Sequence, residues 1–137
     1  MEVIPSDDYE RCMLIAKESM APYFLEYSLD WNDRERTDLC RACDLYLVRD
    51  NTEVGFFMLR EGRTTIFLAD IQVLSRYRNL GYGTHFLELA RDIARSRGFP
   101  TLWLKVFKSN PALNLYRRNG YVIQREEDSV YVLSSNT

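Results

Sequence analysis

The sequence predicts a mixed α/β fold, a sheet that starts as an antiparallel meander and continues through a helical crossover. Three observations predict it. Short runs of β-branched and apolar residues alternate with turn signals from Leu45 to Val73. A helical stripe of Phe86, Leu87, Ala90, Ile93 and Ala94 then spans Gly83 to Arg97. A further apolar run, Thr101 to Phe107, follows it, so this strand lies parallel to its predecessor.

Taken in order, Val3-Ile4 reads as a short first strand. Asp7 or Asp8 caps the helix that carries Tyr9, Cys12, Met13, Ala16 and Met20 at helical spacing. Pro22 ends that helix or opens a second short one. Tyr23 to Leu39 mixes aromatic and charged residues and reads as a helix or loop pair. Leu45 to Val48 and Val54 to Leu59 flank the turn Asp50-Asn51-Thr52, a hairpin pattern. Thr65 to Val73 adds a third strand after the turn at Glu61-Gly62-Arg63. Beyond the crossover helix and its closing Gly98, a short helix spans Asn110 to Asn119, ended by Gly120. Tyr121 to Gln124 and Val130 to Leu133 form a final strand pair, with Tyr131, Val132 and Leu133 offering an edge for a homodimer.

Composition narrows the function. The 137 residues are 46% hydrophobic, enough for one core, and no linker or repeat divides them, so 1–137 is read as one domain. A formal net charge of -2 with no dense basic patch argues against nucleic acid as partner. No apolar run reaches the ~20 residues of a membrane span. The acidic start, MEVIPSDDYER, lacks a signal-peptide pattern, and the expected location is the cytoplasm. Cys40-Arg-Ala-Cys43 has a CxxC spacing, but the only histidine, His85, lies far along the chain. The cysteines, Cys12 included, read as free packing residues with no metal site.

The strongest local signal is Arg78-Asn79-Leu80-Gly81-Tyr82-Gly83-Thr84, between a strand and an amphipathic helix. Such a position exposes backbone N–H groups at a helix N-terminus, where an anion is favoured. The glycines let the backbone approach a phosphate closely. Neither the Walker pattern nor the dinucleotide fingerprint is present. The run from Ile71 to Thr84 resembles the signature of the GNAT superfamily of acyl-CoA N-acyltransferases. Arg78 takes the Arg/Gln place, and Gly81 and Gly83 take the glycine places. Asn79-Leu80 stands where Gly-Lys is more usual.

A second segment, Asn110-Pro-Ala-Leu-Asn114-Leu-Tyr116 through Gly120-Tyr121, resembles the second GNAT motif, its alanine one place early. Asn110 suits a helix cap, and the Tyr116 phenol suits proton donation to a leaving thiolate. The resemblance covers residues 44 to 124. It implies a mostly antiparallel central sheet with helices on both faces, and acetyl-CoA as cofactor. It implies cofactor contacts from Ile71, Gln72 and Val73 at the strand end, from Arg78, Asn79, Leu80, Gly81, Tyr82, Gly83 and Thr84 in the loop, and from Asn110, Asn114 and Tyr116.

The implied chemistry is direct transfer of an acetyl group to a primary amine of a small molecule or peptide. Tyr116 is the expected acid and Asp70 the first candidate base, with Glu53 or water behind it. Strict alternation sets Asp70 on the face opposite Val73 unless a bulge intervenes. Glu26, Tyr27, Asp30 and Trp31, carboxylates among aromatics, are the expected acceptor contacts and suit a cationic amine. A non-catalytic acyl-CoA sensor is the rival class; it needs the loop glycines but not Tyr116.

Overall fold

The computed structural model describes residues 1–137. The elements run β1 (Glu2–Ser6), α1 (Tyr9–Glu26), α2 (Asp33–Arg41), β2 (Asp44–Asp50), β3 (Thr52–Glu61) and β4 (Ile66–Val73), then α3 (Tyr82–Ser96), β5 (Thr101–Phe107), α4 (Ala112–Arg118), β6 (Val122–Glu126) and β7 (Val130–Asn136). The seven strands make one sheet in the order β1-β2-β3-β4-β5-β7-β6. Every neighbouring pair is antiparallel except β4 and β5, which are parallel as the crossover requires.

The cores on the two faces are distinct. Phe56 and Met58 of β3 pack with Cys12 and Ala16 of α1 and with Cys43. Phe57 and Leu59 pack on the other face, with Phe86, Leu87 and Ala90 of α3 and Tyr116 of α4. Directly paired residues share a face. Asp70, opposite Met58, and Gln72, opposite Phe56, therefore face α1; Ile71 and Val73, opposite Phe57 and Gly55, face α3. All three cysteines are free and burial raises their thiols, Cys12 to about 12.

Several expectations change. Helix α1 runs through Pro22 to Glu26. Pro22 is exposed, so the carbonyl that loses its partner one turn back sits on the solvent side. Asp8 occupies the N-cap position without capping; its carboxylate takes Arg11 Nε at 2.6 Å instead. Asn32 caps α2 by accepting from Glu35 N at 2.9 Å, a signal the sequence reading passed over. Finally, β7 is interior: it lies between β5 and β6, so its Tyr131, Val132 and Leu133 are paired on both sides and offer no edge. The free edges are β1 and β6.

Candidate active site

The central feature is a break in the sheet. β4 and β5 share a single residue pair, Phe67 with Trp103, and then part. From the parting runs a cleft of about 990 Å³. Residues from both faces reach it: Asp70, Arg36 and Trp31 from the α1 side, Tyr116, Leu115 and Gly83 from the α3 side.

The strand end presents a donor into this gap. Leu74 gives its N–H to Val54 of β3 at 2.9 Å. Alternation turns the Val73 N–H the other way, toward β5, where no ladder remains. Ile71 has the same orientation, but its N–H is taken by Asp70 Oδ1 at 2.9 Å.

At the mouth of the cleft the chain turns into α3. From Asn79 to Thr84 no backbone N–H donates to any acceptor in the protein. Gly81 holds the turn at φ +87, the left-handed region where side chains are strained. A Cβ on Gly83 would meet Leu115 Cδ2 at 2.7 Å, so glycine also lets α3 lie against α4. No acidic residue sits in the first turn of α3. Open donors at the positive end of a 15-residue helix fit an anionic group such as a pyrophosphate. The parted strands leave room for a long unbranched arm behind it.

Arg78 works differently from a free phosphate ligand. Its Nε donates to Val73 O at 3.0 Å and its Nη2 to Ser19 Oγ at 3.1 Å, fastening the loop to β4 and α1. Tyr82 points its hydroxyl to Asp50 Oδ2 at 2.6 Å, and Leu80 is exposed outside the cleft lining. Asn79, Gly81, Gly83 and Thr84 line the cleft.

Asp70 and Tyr116 meet there from opposite faces. The chain bulges at Ala69, since Met58 pairs with Asp70 while Leu59 pairs with Leu68. That bulge precedes Asp70, so Asp70 and Val73 keep opposite faces, and both reach the cleft because the strand has no neighbour on that side. Burial pushes the Asp70 carboxyl up to about 6, against hydrogen bonds from Gln72 Nε2 and Ile71 N, both 2.9 Å. Tyr116 is buried and its phenol is held protonated well above the usual range, first by burial and then by the Asp70 charge. Its hydroxyl has no partner in the protein, yet it is not closed off from the cleft. Glu53 is engaged elsewhere, by Arg11 at 2.6 and 2.8 Å. Asn110 accepts from Ala112 N at 2.9 Å and lines the cleft with its amide nitrogen unpaired, whereas Asn114 is exposed outside it.

Of the expected acceptor contacts, Trp31 lines the cleft and Glu26, Tyr27 and Asp30 do not. Glu26 takes the Ser109 hydroxyl; Tyr27 accepts from Ser109 N at 3.1 Å and stacks on Phe107 at 5.5 Å. These residues tie α1 to the end of β5. The sequence reading missed Arg36 and Arg60, which line the cleft beside Asp70. Nothing in their local sequence marks them, because the rings they lie on come from other elements.

Residues 7–121 match the model of the acetyltransferase (GNAT) family. A [ribosomal protein bS18]-alanine N-acetyltransferase of Haemophilus influenzae is 28% identical over 118 residues, 86% of this chain and 77% of that protein. PaiA N-acetyltransferase of Thermoplasma acidophilum, solved in complex with coenzyme A, superposes at TM-score 0.76 with 17% identity over all of both chains. A spermidine N-acetyltransferase SpeG chimera from Vibrio cholerae and hSSAT superposes at 0.75 with 18% identity, covering 99% of this chain and 96% of that one. These two structures share the fold. The matched stretch holds the parted strands, the open N–H loop and Tyr116, and the chain belongs to the acetyltransferase (GNAT) family.

Proposed function

We propose that this enzyme transfers acetyl directly to an amine, with Asp70 as base and Tyr116 as acid. The observation that carries the reading is one cleft holding unpaired N–H groups at its mouth and, at its base, a raised carboxyl and an unpartnered phenol. The loop from Asn79 to Thr84 would hold the pyrophosphate, and the β4 edge at Ile71 to Val73, with Asn110, the pantetheine arm. Bound acetyl-CoA supplies an activated thioester. Asp70 takes a proton from the acceptor ammonium, and with its carboxyl near 6 it is ionised at neutral pH yet basic enough to act. The Val73 N–H opposes negative charge on the carbonyl oxygen. The Tyr116 hydroxyl returns a proton to the departing sulfur. Much of the rate comes from holding two reactants together in the parted strands.

Calorimetry of acetyl-CoA with the wild type and with Gly81→Glu tests the donor site. Binding by the first and not the second supports the reading. Binding without transfer to any amine would hand the fold to the sensor class. The free edge of β6 is open to a second copy of the chain, and a doubled mass in light scattering would report a homodimer.

A further inference from the structure

Arg36 is half-buried in the cleft wall, its guanidinium carbon 4.6 Å from the Phe24 ring centroid and 5.1 Å from that of Trp31. The other half-buried cations all have acceptors. Arg11 binds Glu53, Lys17 binds Asp33, Arg91 binds Asn119 O, Arg97 binds Asp44, and Lys108 binds Glu126. The Arg36 guanidinium has none: neither an ion pair nor a hydrogen bond reaches it. A cation held partly out of water without a counter-charge is costly. The aromatic contacts offset part of that and fix the plane of the fork.

A second cation, Arg60, lies over Phe67 at 5.3 Å, on the same face as Asp70 by strand alternation, and it too lacks a partner. The acids in the cleft lining do not answer them. Glu127 is bound by Lys105 and Arg125, each at 3.3 Å, and Asp70 is held by Gln72 and Ile71. Arg36 is close enough for its charge to favour the Asp70 carboxylate.

Resting on the acetyltransferase reading above, we infer that the acceptor is an amine carrying a carboxylate near its nitrogen, which the Arg36 fork binds with Arg60 at the rim. Its ammonium then meets Asp70, and the two opposite charges of the acceptor match the two of the site. A free amino acid and a peptide whose second residue is acidic both present that chemistry.

The test compares kcat/KM, by thiol release from acetyl-CoA, for glycine against glycinamide, for amidated Gly-Asp against Gly-Asn peptides, and for 1,4-diaminobutane. The expected result is that at least one carboxylate acceptor exceeds its amide partner about 10- to 100-fold, the scale of a lost bidentate charge-assisted pair. The first pair reports a free amino acid, the second an acidic peptide. In Arg36→Gln that ratio collapses through KM, and Arg36→Lys, which keeps the charge and replaces the fork, restores part of it. Preference for the amides or the diamine, or an unchanged ratio in Arg36→Gln, overturns the inference and leaves the acetyltransferase reading intact. Titration calorimetry of glycine and the Gly-Asp peptide decides the matter without turnover: binding lost in Arg36→Gln supports it, and no heat from either probe overturns it. Failure of acetyl-CoA to bind at all would strike the acetyltransferase reading instead.

Discussion

As the proposed base, Asp70 would serve catalysis at the expense of stability. Its native carboxyl titrates near 6, against 3.8 when exposed, so the folded chain holds its proton longer than the unfolded one. The stability that difference contributes is complete below about 3.8 and is lost as pH rises through about 6. At neutral pH the ionised group is therefore a burden of about 3 kcal/mol. Asp70→Asn should raise the melting temperature at pH 7.5 while cutting kcat about 10²- to 10⁴-fold. A thermal melt beside an assay checks both. In the wild type, kcat/KM should rise with pH through about 6, and this limb should vanish in Asp70→Asn. Tyr116→Phe keeps the ring packing and should cost about a hundredfold in kcat with little change in acetyl-CoA affinity.

At the scale of the element, glycine decides how closely the pieces approach. A Cβ at Gly55 would stand 2.1 Å from Gln72 O and 2.7 Å from the Phe86 ring, with backbone on one side and α3 on the other. Gly55→Ala should destabilise the fold by about 3 kcal/mol, the upper range for overpacking, read as a lower urea midpoint. The α3 start was legible in the sequence because glycine, strand and amphipathic stripe are all local signals. β5 was read with its own boundaries, Thr101–Phe107, for the same reason. Pro22 misled, since whether a lost hydrogen bond breaks a helix depends on which side of the helix faces water. The placement of β7 was hidden too. Strand order is set by partners far along the chain, and Val130 to Leu133 reads the same at an edge or inside. Arg36 was invisible for a related reason: its meaning comes from Phe24 and Trp31 folding beneath it.

Across the whole molecule, the two sides of the cleft differ in charge. The α3 side presents neutral N–H donors and Asn110; the α1 side presents Arg36, Arg60 and Asp70. No helix is long and apolar enough to cross a membrane. Saturating acetyl-CoA at about 100 times its Kd should stabilise the fold by ~2.7 kcal/mol, checked by the shift of the thermal midpoint.

The single pair joining β4 to β5 has a mechanical consequence. Strands β1 to β4 and strands β5 to β7 are two plates joined in the sheet by that one pair, with a core around α3 that spans both. In amide hydrogen exchange the ligand-free plates should open as separate units, and a bound donor lying in the gap should weld them into one. Merged protection across the seam on adding coenzyme A is the expected record. An unligated sheet that already exchanges as a single unit would show the seam to be rigid without it.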